Sequence, residues 1–260
     1  MQPVALTIAG SDPSGGAGLQ ADLKTFHQFG VYGEAVVTLV TVQNTQRADR
    51  VHCLPADLVL EQISAVVEDI RPQAAKTGAL GDPAIVEAVG NAARGFDFPL
   101  VVDPVMSGKH GAELISGDGG RALETRLLPL AYLVTPNLAE AAALAGMEVS
   151  TVPHMREAAR RIAALGPRAV LVKGGHLAGD AVDILYVDGG WHEFSAARFA
   201  TPHTHGTGCT YSAAITAELA KGTPLLDAVA RAKRFITEAI RTNPGLGGGN
   251  GPVNHHANMA

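Results

Sequence analysis

The chain has 260 residues, 47% of them hydrophobic, and a formal net charge of −5. That composition allows a sizeable core and excludes a disordered chain. With no long Lys/Arg run, it also excludes nucleic acid or an anionic membrane surface as the main partner. The two cysteines, Cys53 and Cys209, share no CxxC or His/Cys spacing, so neither a disulfide framework nor a zinc site is expected.

MQPVALTIAG at the start has no basic segment, and its apolar run is too short for a secretory signal. The longest apolar stretch, Ala35 to Val42, falls far short of the ~18 residues that span a bilayer. A soluble cytoplasmic protein is expected.

VALTIAG (4–10) reads as a buried strand. Leu19, Leu23 and Phe26 then fall on one helical face, which Gly30 ends. AVVTLVTVQ (35–43) is the second strand, and 57–70 is an amphipathic helix carrying Leu60, Ile63, Val67 and Ile70. A strand at 73–78, a helix near 83–93, a strand at 99–105, a helix near 119–128 and a strand at 131–137 follow. A helix near 154–165 leads into AVLVKGG (169–175). This βα alternation predicts a mainly parallel sheet with helices on both faces. Residues 183–199 break it: two strands joined by Asp188-Gly189-Gly190 predict an antiparallel hairpin near one end of the sheet. Helices at about 208–221 and 225–241 close the pattern, and the Gly-rich tail reads as irregular.

Each predicted parallel strand ends in residues unusual for a core: Gly10, Gln43-Asn44, Gly78, Asp103-Pro104, Thr135-Pro136-Asn137 and Lys173-Gly174-Gly175. Ligands of open α/β sheets bind outside the carboxyl ends of the strands. Any one such end is an ordinary polar loop, but the set points to a shared crevice. Gly16-x-Gly18-x-x-Ala21 is a loose dinucleotide fingerprint, but the next strand ends in Gln43 where that reading wants an acidic residue. No GxxxxGK[ST] occurs, which excludes a P-loop NTPase. Gly206-Thr207-Gly208 opens a helix, so unpaired backbone N–H groups and the helix dipole favour an anion there. Cys209 on that first turn is either a small buried hydrophobe or a thiol of lowered pKa able to act as base or nucleophile. Ala213 and Ala217 follow in line with it and predict a helix that packs close and deep.

VALTIAGSDPSGGAGLQADLKTF, VTVQNTQ, KTGAL, VVDPVM, LVTPNLAEAAAL, VLVKGGH and THGTGC together resemble the hydroxymethylpyrimidine/phosphomethylpyrimidine kinases of thiamin biosynthesis, in the ribokinase-like superfamily. The likeness runs from about residue 4 to the GNGPVNHH tail. It implies one kinase domain over 1–260: a three-layer α/β fold with a mainly parallel central sheet, an antiparallel hairpin near one end and no large lid. It implies a homodimer, ATP and Mg2+. The implied reaction phosphorylates 4-amino-5-hydroxymethyl-2-methylpyrimidine and then its monophosphate.

By this resemblance Gln43, Gly10, Asp22 and Val105 contact the substrate, and Lys173 and Asn137 serve the nucleotide. Glu140 serves the metal, directly or through water. Gly206, Thr207 and Gly208 form the anion hole with Cys209, which stands where related sugar kinases carry an aspartate base. A Gln amide, with donor and acceptor side by side, suits an aminopyrimidine; Gln43 otherwise reads as a polar strand end. Lys173 otherwise reads as an exposed strand-end lysine, and Glu140 as a first-turn helix charge. Asp103 reads as a further metal-shell carboxylate or a turn residue before Pro104.

Two segments depart from the family pattern. Thr201-Pro202-His203 replaces Thr-Lys-Asn, and Lys109-His110-Gly111-Ala112 replaces a Lys-Ser-Gly-Asp segment. Two other readings stand beside the pyrimidine kinase: a pyridoxal/pyridoxine kinase of the same superfamily, and a non-catalytic pyrimidine sensor.

Overall fold

The structure, a computed structural model, describes residues 2–106, 115, 118–175 and 179–258. Strand β1 (Val4–Ser11) leads to helix α1 (Gly18–Gln28), β2 (Tyr32–Gln43), β3 (Ala48–Cys53) and α2 (Ala56–Asp69). Then come β4 (Ala74–Thr77), α3 (Pro83–Ala93), β5 (Leu100–Val102), α4 (Gly119–Ala122), β6 (Leu133–Val134), α5 (Leu138–Ala145) and α6 (Val152–Ala163). The chain continues through β7 (Ala169–Lys173), β8 (Ala181–Val187), β9 (Gly190–Ala196), α7 (Thr207–Ala220) and α8 (Leu225–Arg241). One nine-stranded sheet has the order β3-β2-β1-β4-β5-β6-β7-β8-β9. Its pairs from β2 across to β7 are parallel.

Alternation along the strands divides the core in two. Leu6, Ile8, Val102, Val170 and Val172 pack on one face with Ile63, Val86, Leu144 and Met155 of α2, α3, α5 and α6. Ala5, Ala74, Val101, Ala169 and Leu171 face the other way, toward Phe26 of α1, Ala213 and Ala217 of α7 and Phe235 of α8. Alanines meet alanines on this second face, and every residue of α7 from Thr210 onward is buried. The small side chains let α7 lie against the sheet, as its sequence predicts, and so bring its N-terminus to the strand ends.

The structure differs from the predicted elements at three places. Residues 48–53 form an edge strand, β3, antiparallel to β2, so the sheet is antiparallel at both ends rather than one. Its sequence ADRVHC hides it: charged residues are the ordinary protection of an exposed edge. The Asn44 side chain builds the connecting turn by accepting the N–H groups of Gln46 (2.9 Å) and Arg47 (3.1 Å). The helix expected near 119–128 is broken into a short α segment, a π turn over 123–127 and a 3-10 turn over 128–130. Pro129, which has no N–H to give, accounts for the stop. The predicted hairpin of β8 and β9 forms, and its turn has positive φ at Asp188 (50°) and Gly189 (78°), the twist a two-residue hairpin needs.

Beneath the strand ends, Lys76 of β4 and Asp22 of α1 are both fully buried and pair at 2.8 Å. The Thr7 hydroxyl of β1 donates to the same Asp22 oxygen at 2.6 Å. One carboxylate oxygen thus ties three elements. Burial pushes the Asp22 carboxyl up even with Lys76 beside it. Breaking such a pair leaves a charge without a partner. Lys76→Met is therefore expected to destabilise the protein by about 3–5 kcal/mol, and Lys76→Met/Asp22→Leu to recover most of that loss. Urea denaturation of the two variants checks it.

Candidate active site

The carboxyl ends of the parallel strands and the start of α7 open onto a cleft of about 590 Å³. Gln43, Val105, Asn137, Glu140, Lys173, Gly206, Thr207, Gly208 and Cys209 all line it. Gly10 and Asp22 lie outside this lining. Gly10 is packed so that a side chain would run into Leu39, and Asp22 is held below the floor by Lys76.

Gly206 caps α7 in the left-handed region (φ 76°), and a side chain there would strike the backbone carbonyl of Gly16. Only glycine satisfies both demands. No side chain caps the helix and no acidic residue sits in its first turn; the Thr207 N–H donates to Thr204 O at 3.3 Å, and the Gly208 and Cys209 amides behind it remain available to an anion. The Lys173 ammonium stands beside them: a Cβ on Gly208 would lie 3.3 Å from Lys173 Nζ. Lys173 is largely buried and donates to Asp103 Oδ1 at 2.9 Å. Thr135 Oγ1 donates to the same oxygen and Ser212 Oγ to Oδ2, each at 3.2 Å. Burial opposes the charge on Asp103, yet Lys173 and Lys76 hold its carboxyl below the usual range. Asp103, read in the sequence as a further metal-shell carboxylate or a turn residue, is the joint that fixes Lys173 to the end of β6 and to α7. Its one signal was a carboxylate at a buried strand end.

Asn137 and Glu140 form a capping box on α5. Glu140 Oε2 accepts the Asn137 N–H at 2.8 Å, and Asn137 Oδ1 accepts the Glu140 N–H at 3.0 Å. Both residues therefore build the helix start as well as lining the cleft. Burial pushes the Glu140 carboxyl up to about 7, Lys173 opposing and Asp103 adding to the rise. The box uses Oε2, and the Met106 backbone also bonds the carboxyl. Mg2+ takes one or two protein carboxylates and completes its shell with water and phosphates. The donor set fits that demand; among the described residues no cluster of three or more His, Cys, Asp or Glu side chains could hold a metal by itself.

The expected low thiol pKa at Cys209 is not met. Burial pushes the thiol up to about 12; Asp22 and Asp103 add to the rise, while Lys76 and the Gly18 amide pull it down. A helix N-terminus alone does not repay the desolvation of a thiolate flanked by two carboxylates.

Two residues escaped the sequence reading. Asp12 of the β1–α1 loop and His205 before the anion loop bond to each other at 2.8 Å, and His205 lines the cleft. Their positions, in SDP and THG, look like ordinary loop polarity until the fold joins them. The far half of the cleft is lined by Phe199, Thr201, Ile236 and Ile240, with the buried pair Asp183–Lys233 (2.7 Å) beneath. His203 is tied to the tail, its Nδ1 accepting the Gly251 N–H at 3.1 Å. The departure at 109–112 lies outside the described residues.

The family model described as phosphomethylpyrimidine kinase matches residues 12–254. The thiamine biosynthesis bifunctional protein ThiED of Geobacter sulfurreducens is 50% identical over 254 residues, covering 96% of this chain; the chain spans 51% of that longer relative. The hydroxymethylpyrimidine/phosphomethylpyrimidine kinase of Streptomyces coelicolor is 47% identical over 253 residues, covering 97% of this chain and 94% of the relative. Among solved structures, an ADP complex of Bacillus subtilis pyridoxal kinase superposes with a TM-score of 0.92 at 40% identity, covering 99% of this chain and 98% of that one.

The Glu140 carboxyl generates a pH prediction. Its folded pKa near 7 lies above its ordinary 4.5, so its stabilising contribution is complete below pH 4.5 and lost as pH rises through 7. Glu140→Gln keeps the capping box and removes this titration. Between pH 4.5 and 7.5 the wild type should lose about 1–3 kcal/mol relative to the variant, read by denaturation at both pH values.

Proposed function

Since the chain belongs to the phosphomethylpyrimidine kinase family, we propose that it transfers the γ-phosphoryl of ATP to the hydroxymethyl group of 4-amino-5-hydroxymethyl-2-methylpyrimidine and then to its monophosphate, in thiamin diphosphate biosynthesis. One observation carries the site assignment: the Lys173 ammonium and the Gly208 and Cys209 amides at the uncapped start of α7 lie together at the strand ends and line one cleft. Phosphoryl transfer needs positioning and charge neutralisation more than covalent chemistry, and this arrangement supplies both.

In this reading Gln43 bonds the aminopyrimidine edge, and Val105 lines the wall beside it. Asp22 lies below the cleft floor rather than against the substrate, its Oδ1 buried and without a hydrogen-bond partner among the described residues, and Gly10 shapes the loop above it. Asn137 and Lys173 face the nucleotide phosphates, and the apolar wall at Phe199 and Ile236 receives the base. Glu140 would hold Mg2+ directly or through a water, and the ion would neutralise phosphate charge. The whole chain acts as one kinase domain in the cytoplasm, and the exposed Val40 and Val42 on β2 support a homodimer.

A second reading, pyridoxal phosphorylation, is supported by the likeness to the Bacillus subtilis enzyme. An ATP-consumption assay with the free pyrimidine, its monophosphate and pyridoxal decides between them. Turnover of both pyrimidines is expected; turnover of pyridoxal alone sinks the first reading.

Cys209 is the proposed proton acceptor. Its thiol is protonated at neutral pH, so the small thiolate fraction limits the rate, and in a loose transition state the hydroxyl proton leaves late. Cys209→Ala should lower kcat by ~10²-fold with little change in pyrimidine KM. Wild-type kcat should climb with pH beyond pH 9, and the climb should vanish in the variant. Near-wild-type turnover by Cys209→Ala removes the thiol from proton transfer.

A further inference from the structure

His205 stands directly before the anion loop and takes no part in the chemistry assigned above. It is 7% exposed, and its Nε2 lies 2.8 Å from Asp12 Oδ2. Asp12 also accepts the Ser14 N–H (2.9 Å) and hydroxyl (2.7 Å) on Oδ1 and the Ala17 N–H (2.9 Å) on Oδ2. Burial opposes its charge, but His205, Ser14 and the Gln43 side chain together hold Asp12 well below the usual carboxylate range. An ionised carboxylate only accepts, so Nε2 of His205 carries the proton and donates.

The backbone of His205 is held from the opposite side. Its N–H donates to Gly251 O at 3.0 Å, and its carbonyl accepts the Val253 N–H at 3.3 Å. One residue before Gly251, Asn250 donates to Thr45 O at 2.8 Å, two residues beyond Gln43. The tail therefore runs from the exit of β2 to the entrance of α7. The space around the imidazole is full: a Cβ on Gly16 would lie 2.6 Å from His205 Cδ2 and 3.1 Å from Pro252 Cβ.

β2 and α7 are separate elements, and the Asp12–His205 contact and the 250–253 segment both bridge the strand end carrying Gln43 to the helix start that binds phosphate. We propose that His205 is a positioning residue: bonded to Asp12 and braced by the tail, it sets the spacing between the pyrimidine site at Gln43 and the anion hole at Gly206–Cys209. The inference rests on the phosphoryl-transfer reading. In-line transfer is sensitive to such spacing, a misplacement of about 1 Å costing on the order of 10²-fold in rate.

The test uses the full chain with His205→Ala, His205→Gln and Gly16→Ala. His205→Ala should lower kcat by ~10²-fold while KM for ATP and pyrimidine stays within about threefold. Gln carries an N–H that reaches Asp12, so His205→Gln should recover most of the rate. Gly16→Ala keeps the imidazole but displaces it, and should fall with His205→Ala. Folded His205→Ala with wild-type kcat, or His205→Gln no faster than His205→Ala, overturns the proposal. If His205→Ala does not fold, His205→Gln and Gly16→Ala decide: wild-type kcat in Gly16→Ala overturns it. Hydrogen exchange gives a readout free of activity. The Ser14 and Ala17 amides should exchange faster in His205→Ala or, should that variant not fold, in Gly16→Ala, and unchanged exchange overturns the clamp. A wild type that phosphorylates neither pyrimidine, with the exchange change intact, overturns the functional reading instead.

Discussion

The leading amides of a helix have no partners inside it, and at α7 no side chain caps them, although the Thr207 N–H turns back to Thr204 O. Gly206 approaches Gly16 too closely for any side chain, so no polar cap can form. The alanines of α7 let it sink against Ala5, Ala74 and Val101, which carries those amides to the carboxyl ends of the strands. A concentrated partial positive charge therefore sits at the centre of the sheet, beside the Lys173 ammonium. The remaining features of the cleft answer to it: Asp103 holds the lysine in place, and α5 delivers Glu140 from the facing side.

The charges around this point form a layered arrangement. Lys76–Asp22 lies at the bottom with no solvent contact, and Asp103–Lys173 and the buried Glu140 line the cleft above it. Alternating sign keeps each buried group tolerable. Burial, with Asp22 and Asp103 adding to it, explains why the Cys209 thiol is raised where a helix start alone would lower it. Negative charge is welcome a few ångströms away, at the amides, and unwelcome on the sulfur.

Much of the fold was legible in the chain because periodicity reports burial directly. The β-branched runs became the central strands, Asp188-Gly189 made the hairpin turn, and the small-residue pattern after Cys209 anticipated the depth of α7. The edge strand β3 was hidden by its charges, and the helix near 119–128 was overstated because periodicity does not register what Pro129 does to hydrogen bonding. Residues at strand ends, from Gln43 to Lys173, could be picked out because polar groups and glycine are costly there without a purpose. Asp12 and His205 could not, since each is unremarkable within its own loop.

The sequence by itself determined the alternation of strands and helices, the position of the crevice and most of the side chains around it, because these follow from local pattern and from motifs that need only their neighbours. The tertiary structure alone decided which of those groups touch. Asp12 and His205 are 193 residues apart, Asp103 and Lys173 seventy, and Lys76 and Asp22 fifty-four. The protonation of Glu140 and Cys209 was decided there too, because a pKa depends on desolvation and on charges brought near by folding, and neither quantity exists along an extended chain.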